Sequence, residues 1–200
     1  YELFVQMLLR EHGYEVKPNQ IVPGRCSEHE VDAIAVKDGT TFIVEVKHHS
    51  DYHKLTGLDD GRMARAVIED VGEGFVAGAN RSEADRAMIV CNTKLSDHAK
   101  RYASCRGIDY IGWVYPPDHD LQATIEEKAL YPVPLIRELG ASARDRLGDA
   151  GIICLNQLAQ ATPEQVAHEA GIDLSKASSL SQTAARLLAA GSTERKIRVQ

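Results

Sequence analysis

Residues 29–49 read His-Glu-Val-Asp-Ala-Ile-Ala-Val-Lys-Asp-Gly-Thr-Thr-Phe-Ile-Val-Glu-Val-Lys-His-His. Val31 to Val36 is an apolar run rich in β-branched residues, and Thr41 to Lys47 is a second one. Lys37-Asp38-Gly39-Thr40 separates them, and Asp-Gly between two such runs is a strong hairpin signal. Charges fall where a core strand should not carry them. Asp32 lies inside the first run, and Glu45 and Lys47 lie two apart near the end of the second, on one strand face. Charged groups are rarely buried unless paired or bound. Two carboxylates on adjacent strands can share a divalent cation, and a lysine beside them can serve a nucleophile.

Working outward, Glu2 to His12 carries an apolar stripe of Leu3, Val5, Met7, Leu8 and Leu9 and predicts a helix that Gly13 ends. Lys17 to Glu30 is polar, holds Pro18, Pro23 and Gly24, and reads as a loop or ragged strand. After the hairpin, Thr56 to about Phe75 is helical in spacing. Ala87 to Cys91 is wholly apolar, as a strand covered on both faces would be. Ser96 caps a helix from Asp97 to Cys105, Gly107 ends it, Ile108 to Val114 is a further strand, and Leu121 to Lys128 a further helix. The class is α/β, a mixed sheet flanked by helices.

The character changes at Tyr131-Pro132-Val133-Pro134, which reads as a linker. Beyond it only short helical pieces are expected, over 135–139, 142–150, 155–159, 163–169 and 175–190, punctuated by Gly140, Gly151, Gly171 and Gly191. Two domains are therefore expected, 1–130 and a smaller all-α one over 131–200.

The 200 residues carry a net charge of −6, which argues against a general polyanion binder. The balance is uneven. Residues 1–130 hold 15 Lys and Arg against 22 Asp and Glu, and residues 131–200 hold 8 against 7. An acidic first part suits a carboxylate-rich metal site as well as an ordinary acidic surface. Cys26, Cys91, Cys105 and Cys154 show no Cys-x-x-Cys spacing and read as free thiols of a reducing cytoplasm. No apolar run reaches the length of a membrane span, and no secretory leader pattern is present. The chain opens on Tyr1 rather than Met, so a fragment of a longer protein is expected.

Residues 1–130 resemble the PD-(D/E)xK nuclease superfamily, and within it the Mrr-like and archaeal Holliday-junction-resolvase-like branches. The resemblance rests on Glu2 opening a helix before Gly13-Tyr14-Glu15-Val16, on Asp32 in the first hairpin strand, on Glu45-Val46-Lys47 closing the second, and on the helix and apolar strand that follow. Val31 stands where the family name advertises a proline. The resemblance implies a restriction-endonuclease-like fold and a metal-dependent endonuclease hydrolysing phosphodiester bonds in DNA, leaving a 5′-phosphate. It implies Mg²⁺, with Mn²⁺ as substitute, held by Asp32, Glu45 and the Val46 carbonyl. Lys47 would orient or deprotonate the water, and Glu2 would complete the site through a water.

His48, Arg62 and Arg65, and Lys176 in the second domain, are candidate nucleic-acid contacts. His49, His53, Glu30, Arg144, Arg146, Arg195, Lys196 and Arg198 are weaker ones. A homodimer fits an enzyme that must cut two strands.

Segments 92–103, 107–113 and Pro132 are also similar to prokaryotic proteins in which such a domain follows an ATP-cone, so ATP would matter only if that domain lies upstream. The second part resembles tandem helix-hairpin-helix domains around Leu147-Gly148-Asp149-Ala150-Gly151-Ile152 and Gly171-Ile172. DNA-binding hairpins of that kind carry Gly-hydrophobic-Gly, and here Ile153 and Asp173 replace the second glycine. The competing expectation is a nuclease-fold nucleic-acid-binding or regulatory module whose helical domain docks protein.

Overall fold

The computed structural model describes residues 1–51, 53–81 and 83–198, without the side chains of 191–198. The chain divides into two compact units, Tyr1–Thr124 and Ile125–Gln200.

The first unit is built on a five-stranded mixed sheet in the order β1-β2-β3-β4-β5. Helix α1 (Glu2–Glu11) is followed by β1 (Glu15–Pro23), β2 (Glu28–Lys37) and β3 (Thr40–Lys47), which form an antiparallel meander. Helix α2 (Leu58–Val76) crosses to β4 (Arg86–Cys91), parallel to β3, and α3 (Asp97–Arg106) crosses to β5 (Asp109–Ile111), parallel to β4. Helix α4 (Leu121–Lys128) runs across the division between the units.

Local chemistry explains the turns. The β2–β3 turn places Asp38 and Gly39 at φ +50° and +77°, the left-handed pair such a tight hairpin requires. Ser96 Oγ accepts the Ala99 N–H at the start of α3, and Gly107 at φ +64° ends it. The core follows the same logic. Val5, Leu8 and Leu9 of α1 are buried, and α1 packs on β1 and β2. On the helix-crossover side, Ile68 and Val71 of α2 and Ala99 and Ala103 of α3 join Ile43, Ile89 and Tyr110 in one cluster. Each fully buried Leu, Ile or Val of this kind contributes about 1.5–3 kcal/mol.

Three expectations need correction. The stretch from Lys17 is an ordered strand as far as Pro23, paired with β2 from Glu15↔Val36 to Pro23↔Glu28. It lies at the sheet edge, where prolines are tolerated because a missing N–H breaks no inner ladder. The last strand stops at Ile111 rather than running to Val114. Gly112 N–H turns back onto the Tyr115 carbonyl (2.8 Å), and Val114 sits at φ +64°. No helix spans 135–139. A single 3₁₀ turn covers Val133–Leu135, and Ile136 is already extended.

The second unit holds α5 (Ala141–Asp149), α6 (Leu155–Gln160), α7 (Pro163–Ala170) and α8 (Leu174–Arg198). The α5–α6 and α7–α8 connections each turn through a left-handed glycine, Gly151 at φ +75° and Gly171 at φ +60°, and α8 packs on α6 and α7. Leu147, Leu155, Leu158, Val166, Ala177 and Ala184 make their shared core.

Candidate active site

The ladder between β2 and β3 runs from Lys37↔Thr40 up to Ala33↔Val44 and stops. Asp32 is the next residue. Its Oδ2 accepts the Val46 N–H at 2.6 Å, where a continued ladder would have offered a β2 carbonyl. Within a strand, a residue's N–H and C=O point to the same edge, so the Val46 carbonyl also faces the side on which Asp32 lies. This carboxylate therefore holds the strands together at the point where they part.

Glu45 and Lys47 flank Val46. Lys47 Nζ lies 2.7 Å from Glu45 Oε1, with the two side chains 32% and 30% exposed. Half-burial makes this pair worth more than a free surface pair, though still modest. The Glu45 hydrogen bond raises the Lys47 ammonium above the usual lysine range, against partial burial, with Glu45, Asp60 and Asp32 adding their negative fields. Lys47 is thus a fixed positive charge between carboxylates.

Asp60 was not singled out by the sequence. Thr56 N–H donates to the Lys94 carbonyl, Thr56 Oγ1 meets Thr93 Oγ1 at 2.9 Å, and both threonines are buried. That pins the start of α2 to the loop after β4. Asp60 Oδ2 accepts the Gly57 N–H (3.0 Å) and so stands at this helix start with its field on Lys47. An acid three residues after a helix boundary was the only signal in the sequence.

The remaining candidates sort by position. Tyr1 sets its ring 5.1 Å from that of His48, which brings the first turn of α1 to the end of β3. Glu2 is the next residue, and its side chain is exposed. Partial desolvation lowers the His48 pKa, with the neighbouring His49 acting the same way. His49 is clamped by Asn92, which accepts its N–H and donates to its carbonyl, each at 2.8 Å.

Arg62 pairs with Asp59 (3.0 Å) and Arg65 with Glu69 (2.7 Å) along α2. His53 and Glu30 are exposed. In the second unit Lys176 is exposed on the first turn of α8 and Arg144 pairs with Asp145. Arg146 Nη1 donates to the Gly171 carbonyl (2.6 Å), a structural tie. The side chains of Arg195, Lys196 and Arg198 lie outside the described residues.

Among the described residues no group of three or more His, Cys, Asp and Glu side chains converges as a metal site. Asp32, Glu45 and the Val46 carbonyl could offer a cation oxygen donors alone, two side chains and one backbone group, which would suit a hard ion that keeps several waters and not a thiol-loving metal.

Comparison with known proteins agrees with the fold of the first unit. The Mrr_cat family, described as restriction endonuclease, matches residues 1–112. The chain belongs to this family. It is 36% identical over 171 residues to an uncharacterized protein of Archaeoglobus fulgidus, covering 85% of this chain and 91% of that one. It is also similar to the crystal structure of a protein of unknown function, AF1548, with a TM-score of 0.80 and 32% identity over 94% of this chain and 97% of that one. Membership of this family suggests a nuclease, and nucleases of this kind typically use divalent metals. Among the described residues no helix is long and apolar enough to cross a membrane.

Proposed function

We propose that the first unit is a Mg²⁺-dependent endonuclease acting on DNA. The observation that carries this reading is the Asp32 carboxylate on the Val46 N–H, with the Glu45–Lys47 pair beside it. Asp32, Glu45 and the Val46 carbonyl would hold the ion, Mn²⁺ substituting for Mg²⁺. When bound, the ion supplies Lewis-acid neutralisation of the phosphate's charge.

The chain's own groups do the rest. Lys47 is an ammonium at neutral pH, so it would donate to the developing negative charge on the phosphate rather than take the proton of the attacking water, which would pass to solvent. Glu45 holds that ammonium in place. Asp32 fixes the strand that carries both. Glu2, next to Tyr1 at the start of α1, would complete the site through a water.

Cleavage of linear, branched and single-stranded DNA with Mg²⁺ tests the reading. The Lys47→Ala variant cutting at the wild-type rate would overturn it. Mn²⁺ binding that disappears in Asp32→Asn gives a readout independent of turnover.

A second reading is favoured by the Glu45–Lys47 pair itself, which already neutralises one carboxylate. On this reading the fold holds nucleic acid without cutting it. Binding without cleavage of any substrate would select it.

For the helical unit, the proposal is protein docking rather than DNA reading. The N–H groups of Ile153 and Cys154 both go to Gln157 Oε1 (2.9 and 3.0 Å), and Asp173 puts a carboxylate at the second hairpin. A phosphate would need those N–H groups and would be repelled by that charge. A homodimer, which two-strand cleavage would need, is read by sedimentation.

A further inference from the structure

The ends of β4 and β5 carry a second feature. Gly112 follows β5, and a Cβ there would lie 2.5 Å from Leu95 Cδ1 and 3.0 Å from Cys91 Sγ. Only glycine lets this chain segment press on the loop after β4. Trp113 N–H then donates to the Thr93 carbonyl (3.0 Å), and Val114 turns outward at φ +64°, a conformation a β-branched residue rarely adopts.

The result is an exposed apolar ledge. Trp113 is 39% exposed, Val114 54% and Leu55 51%. Together with Lys94, Asp97 and Lys100 they line a cavity of about 390 Å³. Lys94 is exposed and in no ion pair among the described residues. Lys100 reaches Asp97 at 3.3 Å and lies 5.9 Å from the Tyr115 ring centroid. Two lysines stand against one aspartate here, on a chain whose net charge is −6.

The ledge is continuous with the candidate active site. Val46 pairs with Val90 and Val90 with Ile111; beyond the strands Asn92 clamps His49, and the next residue, Thr93, accepts the Trp113 N–H. Two strand spacings of ~4.8 Å put β5, which Trp113 follows, about 10 Å from β3. That is about three steps of a stacked strand at ~3.4 Å per nucleotide.

We propose that this ledge holds an unpaired stretch of the DNA strand being cut, one base stacked on Trp113 and the flanking phosphates on Lys94 and Lys100. Exposed aromatics beside lysines are how proteins take single strands, because every base has a face to stack. A base inside a continuous duplex has no free face. The substrate class is therefore DNA with an unpaired segment beside the cleaved bond, a flap or fork rather than a plain duplex. This rests on the nuclease reading of Asp32, Glu45 and Lys47.

Trp113 is the sole tryptophan of the chain, so its emission reports the ledge directly. The full chain in EDTA is titrated with labelled oligothymidylate, with a continuous duplex, and with that duplex bearing an oligothymidylate flap. Anisotropy of the label reads binding and tryptophan emission reads stacking. The single strand and the flap are expected to quench the emission, and the plain duplex to leave it unchanged. Trp113→Ala and the Lys94→Ala/Lys100→Ala double variant are each expected to weaken flap binding about tenfold. Both should keep the wild-type circular dichroism and duplex affinity.

Flap binding with unchanged emission and wild-type affinity in Trp113→Ala overturns the ledge while leaving the nuclease reading intact. Equal quenching by duplex and flap overturns the preference for an unpaired strand. Emission that shifts with protein concentration alone gives the ledge to a second copy of the chain and overturns it. No anisotropy change with any DNA, and no cleavage with Mg²⁺, removes both readings together.

Discussion

Asp32 Oδ2 accepts the backbone N–H of Val46 at 2.6 Å, across a gap of 14 residues. One carboxylate thereby does two jobs. It closes the end of the β2–β3 ladder, and it stands beside the Glu45–Lys47 pair. The two jobs separate by substitution. Asp32→Asn keeps an acceptor oxygen for Val46 and loses the charge, so stability should stay near wild type while metal-dependent cleavage is lost. Asp32→Ala leaves the half-buried N–H without its acceptor and should cost in addition about 1–3 kcal/mol. Thermal unfolding of the two variants, beside a cleavage assay, checks this. Equal destabilisation of both would show that the contact is not what holds the strands.

On the proposed mechanism Lys47 is the charge that meets the developing negative charge. Removing one such donor typically lowers turnover about 10²–10³-fold, and that loss is expected for Lys47→Ala. Lys47→Arg should recover little, because a planar guanidinium does not replace a compact ammonium at a fixed point. Single-turnover rates with Mg²⁺ read both. Rates within a factor of about two of wild type would take Lys47 out of the chemistry.

The hairpin and its charges were legible because their signals are local. Asp38-Gly39 names a turn, and the apolar, β-branched runs on either side name the strands. The Glu45-x-Lys47 spacing could be read directly for the same reason. Lys17 to Glu30 read as a loop or a ragged strand because an edge strand keeps polar residues and prolines, and its partner β2 lies further on in the chain. The stop at Ile111 was hidden for a different cause. Ile108 to Val114 is apolar enough for a strand, and only the packing of Gly112 on Leu95 and Cys91 turns it. Asp60 acts through Thr56, Thr93 and the end of β4, contacts that no pattern around residue 60 records.

The loop between β1 and β2 is held by one carboxylate of α2. Asp70 accepts from His29 Nε2 (2.8 Å) and from the N–H groups of Cys26 (2.9 Å) and Ser27 (3.3 Å). The His29 hydrogen bond, with the two amides, lowers its pKa to about 2. An ordinary aspartate titrates near ~3.9. The folded value lies below the unfolded one, so this contribution is fully present above about pH 4 and is lost as pH falls through about 2. Asp70→Asn should lower the melting temperature at neutral pH and flatten its dependence between those limits. A variant curve parallel to wild type across that range would show that another group governs acid unfolding.

Gly72 and Gly74 stand two residues apart in α2 and should respond to alanine with opposite signs. A helix-interior Gly→Ala ordinarily stabilises by about 0.5–1 kcal/mol, since alanine gives up less backbone freedom on folding. At Gly72 a Cβ meets nothing within 4 Å, so Gly72→Ala should gain that amount. At Gly74 it would lie 2.6 Å from the Gly24 carbonyl carbon and 2.9 Å from the Arg25 nitrogen. Those are backbone atoms of the loop that Asp70 clamps, and Arg25 N–H is itself bonded to the Asp70 carbonyl (2.9 Å). Neither can swing aside as a side chain would. Steric cost therefore outweighs propensity, and Gly74→Ala should destabilise by about 1–3 kcal/mol. Urea unfolding of the two variants gives the comparison, with Gly72→Ala as the internal control for helix propensity. Stabilisation of Gly74→Ala to the same degree would mean that the loop yields, and that its close approach to α2 is not enforced by the glycine.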